Sequence, residues 1–214
     1  MSFNWHNHDY DIPDGAHALL SGSKYAWLNY DEEKLYNYIV SSYATTIGTL
    51  IHELAADLIS NKIKVNKSEA RKMILLHLLK NNIPRNVIDT ERYLLNFVAY
   101  VNDSIGFDMI PEKKLKYSEN AYGTADAISY NEKKRFLRIH DYKSGVTQPS
   151  LKQLEIYTAY FCLEYHIEPK DISIELRIYW NNEVITGLPT AADIIPIMDE
   201  AITKDKFIKN VKEG

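Results

Sequence analysis

Two short segments gather residue types that can do chemistry. The first is Gly123-Thr124-Ala125-Asp126, and the second is Ile139-His140-Asp141-Tyr142-Lys143-Ser144-Gly145. Residues two apart on a strand project to the same side, so Asp141 and Lys143 point together. If Gly123–Tyr130 and Arg135–Tyr142 form a hairpin across Asn131-Glu132-Lys133-Lys134, Asp126 reaches the same place from the neighbouring strand. Two carboxylates and an ammonium on one sheet edge are costly unless something binds there. A hard divalent cation such as Mg²⁺ is the simplest partner, because it prefers carboxylate and water oxygens. A cation held by two carboxylates lowers the pKa of bound water and offsets charge on a phosphorane-like transition state. Lys143 would hold or activate the attacking water and stabilise the developing negative charge. The Tyr142 backbone carbonyl, between the two side chains, would add a ligand oxygen. This is the chemistry of phosphodiester hydrolysis.

An Asp-x-Lys triplet by itself is common and is usually a surface ion pair. Here Leu137 and Ile139 alternate into Asp141, so the strand delivers its charges at the end of a buried element, and Gly145 allows a sharp exit. Two further features agree. Gly48-Thr49-Leu50-Ile51-His52-Glu53-Leu54 places a histidine among helical residues that otherwise read as core, where a lone histidine is most often a satisfied core residue. Gln153 and Tyr157 stand four apart on a helix after the Asp-x-Lys strand, hence on one face. A polar pair there could touch a phosphate or base, although a partly exposed helix face would look the same.

The elements that must position these residues divide the chain at Pro111. Before it the pattern is helical. A helix is expected over Glu32–Tyr43, a second capped by Thr45 or Thr46 through Leu58, and a third over Ser68–Leu79 with Met73, Leu76 and Leu79 inward. A fourth starts at Asp89 or Thr90 and carries Leu94, Phe97, Val98 and Val101. After Pro111, strands are expected at Lys113–Ser118, Gly123–Tyr130 and Arg135–Tyr142. A helix follows over Leu151–Tyr165, then a strand over Ile172–Trp180 with Ile172, Ile174, Leu176 and Ile178 on one face, a turn at Asn181-Asn182, and a helix over Ala191–Thr203 whose Lys-rich end frays. The fold class is α/β (α+β): a small central mixed sheet flanked by helices, with a helical N-terminal half. Residues 1–214 read as one domain, with 1–110 mainly helical and 111–214 carrying the catalytic sheet.

Bulk properties narrow the classes. The chain has 214 residues, 45% hydrophobic and 25% charged, an ordinary globular composition. Its one cysteine, Cys162, excludes an internal disulfide framework and a four-cysteine iron–sulfur cluster. The N-terminal MSFNWHNHDYDIPDG lacks the pattern of a signal peptide, and no run of about 18 apolar residues suggests a membrane span. A cytoplasmic protein is expected. The net charge of −4 argues against nucleic acid in bulk. Basic clusters nevertheless occur at Lys62, Lys64, Lys67, Arg71 and Lys72, at Lys113, Lys114 and Lys116, and at Lys133, Lys134 and Arg135. Each alone reads as a solvated surface. The string His6-Asn7-His8-Asp9 reads as a capping or flexible segment, and most of the 16 tyrosines fall in apolar stripes. No Walker-type phosphate loop, dinucleotide fingerprint or nucleophile elbow is present.

Taken in order, Gly48…His52, Gly123…Asp126, Asp141…Lys143 and Gln153…Tyr157 resemble the RecB-like branch of the PD-(D/E)XK nuclease superfamily. A closer resemblance extends through His17-Ala18-Leu19-Leu20-Ser21-Gly22-Ser23, Trp27-Leu28, Gly48-Thr49, His52-Glu53-Leu54-Ala55 and Gly123-Thr124-Ala125-Asp126-Ala127, to a phage- and prophage-borne group of nuclease-like proteins. The resemblance implies a restriction-endonuclease-like three-layer core. It implies Mg²⁺ or Mn²⁺ held by His52, Asp126 and Asp141, with Lys143 catalytic and Gln153 and Tyr157 orienting DNA. It implies a deoxyribonuclease, an exonuclease rather than a site-specific endonuclease, in phage recombination, replication or DNA processing, with a phage recombination or replication protein as a partner and oligomerisation open. The chain departs from the pattern in lacking a proline beside Asp126, and in having Asn29 where some relatives have a cysteine. Two other readings stay open: a catalytically weak DNA-binding or assembly module on the same fold, and a nucleotide phosphoesterase.

Overall fold

The computed structural model describes residues 18–213; the His6–Asp9 string and His17 lie outside them. The described chain falls into two compact units, one up to Thr45 and one from Thr46 onward. In the first, Gly22–Asn29 forms a 3₁₀ run capped by Ser21, whose carbonyl also accepts the Trp27 indole N–H at 3.0 Å.

Helix α1 spans Glu32–Ser60 without the break expected near Thr45. Threonine only mildly disfavours a helix interior, and nothing between Tyr43 and Gly48 removes a backbone donor, so the two expected helices merge. In the second unit α2, Lys67–Lys80, starts at a capping box in which Asn66 accepts from Ser68 and Glu69 while the Glu69 side chain accepts from the Asn66 N–H. Its buried face is Ala70, Ile74 and Leu78, not Met73, Leu76 and Leu79; Leu76 is 65% exposed. The helix carries two apolar rows, one at spacing four and one at spacing three, and only packing decided between them. The expected fourth helix is two: α3, Thr90–Leu94, and α4, Phe97–Gly106, separated at Asn96, which has φ 61°.

A five-stranded sheet follows, in the order β1-β2-β3-β4-β5. Its strands are β1 Ile110–Ser118, β2 Ala121–Asn131, β3 Phe136–Lys143, β4 Ser173–Trp180 and β5 Glu183–Gly187. All neighbours are antiparallel except β3 and β4, which are joined by the crossover helix α5, Lys152–Tyr165. Strand β5 was not expected. Asn181 and Asn182 both take positive φ, 47° and 63°, as a two-residue hairpin turn matching strand twist requires. Helix α6 covers Ala191–Glu213 and so continues ten residues beyond the end expected at Thr203.

The sheet is covered on both faces. Leu137 and Ile139 of β3, with Ile174, Leu176 and Ile178 of β4, pack with Leu154, Ala159 and Cys162 of α5 and Ile194 of α6. Alternate β3 residues face the other way: the Tyr142 ring packs on Phe97 and Tyr100 of α4. The architecture is thus mixed α/β, a small mixed sheet between helical layers. Among the described residues no helix is long and apolar enough to cross a membrane.

Candidate metal centre

The site forms at the C-terminal end of β3. The β2–β3 ladder runs from Asn131↔Phe136 to Ala127↔His140 and stops there. One step further, Asp126 and Asp141 would be partners, and adjacent like charges oppose that pairing. Asp126 instead accepts the Tyr142 N–H at 3.3 Å and stands 3.2 Å from His52 Nδ1 on α1. Tyr142 is locked below: its ring is fully buried, and its hydroxyl donates to the Tyr93 carbonyl at 2.5 Å. The aromatic packing of one face therefore fixes the backbone between Asp141 and Lys143.

Asp141 is 1% exposed. Lys143 Nζ lies 2.9 Å from its Oδ1, and apart from that ammonium neither buried carboxylate oxygen has a donor among the described residues. Burial, then the Asp126 charge, push its pKa up to about 7. Burial also opposes the charge on Asp126, but the hydrogen bond and charge of His52, with Lys143 behind, outweigh it and hold Asp126 below the usual range. The same pairing raises His52 against its own burial. Lys143 is likewise raised: burial lowers it, and Asp141 and Asp126 more than compensate. A cation held there would supply the positive charge the carboxylates lack and would oppose protonation of His52 and Asp141.

The structure brings His52, Asp126, Asp141, the Tyr142 backbone and Lys143 to one place. It sets Gln153 and Tyr157 beside them in a chain: Lys143 Nζ donates to Gln153 Oε1 at 3.2 Å, and Gln153 Nε2 to the Tyr157 hydroxyl at 2.9 Å. The Tyr157 ring approaches Gly123 closely, so that an added Cβ would fall 2.6 Å from Tyr157 Cε1. That glycine is needed for close approach rather than for its backbone angles. Sequence reasoning missed Glu112. Each of His52, Glu112 and Asp126 offers a ligand atom within 4.8 Å of the other two. Burial and the Asp126 charge raise the Glu112 pKa. Pro111-Glu112 preceded the expected strand start, and no spacing rule links it to Asp126; only the β1–β2 register does.

This donor set fits a hard divalent cation. Adjacent buried carboxylates with few donors are what such an ion satisfies, and one imidazole among oxygens is compatible with it. A family model described as a protein of unknown function (DUF2800) matches residues 17–161, and the chain belongs to that family. No curated protein and no solved structure matches it.

Proposed function

We propose that the protein is a Mg²⁺- or Mn²⁺-dependent deoxyribonuclease of the PD-(D/E)XK type, in its RecB-like branch. The observation that carries this reading is Asp141, fully buried beside the charge of Asp126 with the Lys143 ammonium as its one donor. Two adjacent buried carboxylates exceed what a structural ion pair with one lysine needs, and burying the surplus charge is unfavourable unless a cation offsets it.

Asp126 and Asp141, with the Tyr142 carbonyl, would hold the ion. When bound, it supplies Lewis-acid stabilisation of charge on the scissile phosphate. Asp126 is oriented by the Tyr142 N–H and by His52. Lys143, kept protonated by two carboxylates, suits the stabilisation of developing negative charge rather than proton abstraction. Gln153 and Tyr157 orient that ammonium and remain within reach of a substrate phosphate. A water oxygen bonds to phosphorus as the bond to the 3′ oxygen breaks. The water gives up one proton, the departing oxygen takes one up, and the products carry a 5′-phosphate and a 3′-hydroxyl. Action at DNA ends, in phage recombination, replication or DNA processing within the host cytoplasm, follows from the family resemblance.

The test is incubation of the purified chain with end-labelled linear DNA, single- and double-stranded, in Mg²⁺, Mn²⁺ or chelator, beside Asp141→Ala. Cation-dependent loss of DNA by the wild type alone is expected. DNA binding with no cleavage would replace this reading with that of an assembly module. Cleavage of mononucleotides but not polymer would make it a phosphoesterase.

A further inference from the structure

The sheet has two outer edges, and the chain treats them differently. An edge strand offers unpaired N–H and C=O groups to any other strand, and native proteins blunt it with lysine, proline, local kinks or a covering element. Strand β1 carries several of these guards. It holds Pro111, Lys113, Lys114 and Lys116, takes a positive φ of 48° at Glu112, and gives its Lys116 N–H to the Glu164 carboxylate of α5 at 2.8 Å. Strand β5, Glu183-Val184-Ile185-Thr186-Gly187, has no proline, no lysine and no non-glycine residue of positive φ. Trp180 and Glu183 close a two-residue turn, and bonded pairs alternate with non-bonded pairs along an antiparallel ladder. Val184 and Thr186 therefore turn their backbone groups away from β4. Among the described residues no hydrogen bond meets those groups. The edge is touched at its start, where Asn96 Nδ2 donates to the Glu183 carbonyl at 2.5 Å.

We propose that β5 pairs with β5 of a second copy of this chain, antiparallel about a two-fold axis at Ile185, joining the two five-stranded sheets edge to edge. The strand is complementary to itself in that register. Both bonded pairs set Val184 against the partner's Thr186. Ile185 meets its own mate in a non-bonded pair, where side chains stand closer and β-branched residues pack well. Ile185 already packs on the core between the sheet and α5, so the pair extends that core across the axis. Glu183, the strand's one charge, falls opposite the partner's Gly187, where no side chain obstructs it. Leu151 lies against Gly187 at the start of α5, and Lys152 follows it. A carboxylate is favoured beside a helix N-terminus and an ammonium. Parallel pairing would instead set Glu183 against Glu183. A pair of short strands buries less than the roughly 1,200–2,000 Å² of a stable interface. Leu188, directly after β5, is 69% exposed, and Leu95, which lines a groove with Val184, is 39% exposed. These apolar side chains add to the area that the strands bury. The axis reverses strand direction, so the two candidate metal centres, each at the C-terminal end of its β3, face opposite ends of the joined sheet.

The experiment is sedimentation equilibrium of the full chain, without metal or DNA, over a concentration series. A mass of twice the chain that falls on dilution is expected. Thr186→Pro removes an outward N–H and spares the β4 ladder, and Val184→Lys gives β5 the kind of guard β1 carries. Both should sediment as monomers with unchanged far-ultraviolet circular dichroism. Val184 is 44% exposed, so the lysine variant keeps the test open if the proline is not tolerated. Ile185→Cys should give a disulfide-linked dimer under copper–phenanthroline, whereas the wild type, whose Cys162 is buried, should not. A monomer at every concentration would overturn the proposal and leave the edge to an extended segment of a different protein. A dimer that survives Val184→Lys, or one that Ile185→Cys fails to cross-link, sinks it as well. No readout involves a cation or cleavage, so these outcomes leave the nuclease reading untouched.

Discussion

Two buried aspartates, Asp205 and Asp141, show how differently one fold can treat a carboxylate. Asp205 on α6 is 4% exposed, yet it accepts from the Ser118 hydroxyl at 2.6 Å and from Asn120 Nδ2 at 2.9 Å, with Lys209 Nζ at 2.7 Å. Those partners, Lys209 first, bring its pKa down to about 2. It pins α6 to the β1–β2 turn. Asp141 is as deeply buried but has only the Lys143 ammonium at 2.9 Å and the Asp126 charge beside it, and its pKa moves the other way, up to about 7. The protein completes a carboxylate's shell where it needs a fastener. It leaves the shell incomplete where the proposed cation would bind, a contrast that burial alone would miss.

The largest expected effect breaks the open site directly. Asp141→Ala should lower DNA cleavage by about 10³-fold or more, the scale of losing a cation's charge stabilisation, and should weaken Mn²⁺ binding in calorimetry. Lys143→Ala should lower cleavage by roughly 10²–10³-fold while sparing Mn²⁺ affinity, because an ammonium is not a ligand. Loss of the ion with Lys143→Ala would show that its role is misassigned.

Stability should separate the two aspartates by sign. In chelator at pH 8, Asp141→Asn should raise the melting temperature, since it relieves the repulsion between two adjacent buried carboxylates, Asp126 and Asp141. For a chain of this length each kcal/mol is worth about 2–4 °C. Asp205→Asn should lower it, because Ser118, Asn120 and Lys209 lose the charge they surround. Equal signs would erase the distinction drawn here.

The pH dependence sharpens the same comparison. Asp141 has a folded pKa near 7, above the usual carboxylate value of about 3.9, so the native state holds the extra proton between those values. Its contribution to the metal-free protein is therefore lost as pH rises from about 4 to 7. Asp205, depressed to about 2, contributes above pH 4 and is lost as pH falls through 2. Melts in chelator should show the neutral-side loss disappear in Asp141→Asn. Saturating Mn²⁺ should suppress it in the wild type.

The smallest effect concerns the relay behind Lys143. Gly123→Ala must push the Tyr157 ring off β2, and overpacking of that kind costs about 1–3 kcal/mol. Cleavage should fall less than with Lys143→Ala, with Mn²⁺ affinity unchanged. Adding Tyr157→Ala should restore the stability. If it does not, the clash is not the cause.

How much was legible in the sequence depended on range. Asp141 and Lys143 share a side because strand side chains alternate, a rule that needs only two residues. The Asn181-Asn182 turn was readable for the same reason, although β5 beyond it was too short to stand out. The buried face of α2 was not readable, since Ala70-Ile74-Leu78 and Met73-Leu76-Leu79 are both acceptable helical rows. The break at Asn96 and the continuity of α1 through Thr45 were hidden because neither position carries a proline or a glycine that would force the outcome.

For the candidate site, the sequence by itself determined the residue types, their order, and the two carboxylates and lysine of the β2–β3 hairpin. Local backbone geometry is enough to place those three. Tertiary structure alone decided that Asp141 is fully buried, that Gln153 and Tyr157 reach back to Lys143, and that Glu112 joins His52 and Asp126. Each of these depends on register between strands or on how a helix docks on the sheet. Such pairings are set by the whole core, not by spacing along the chain.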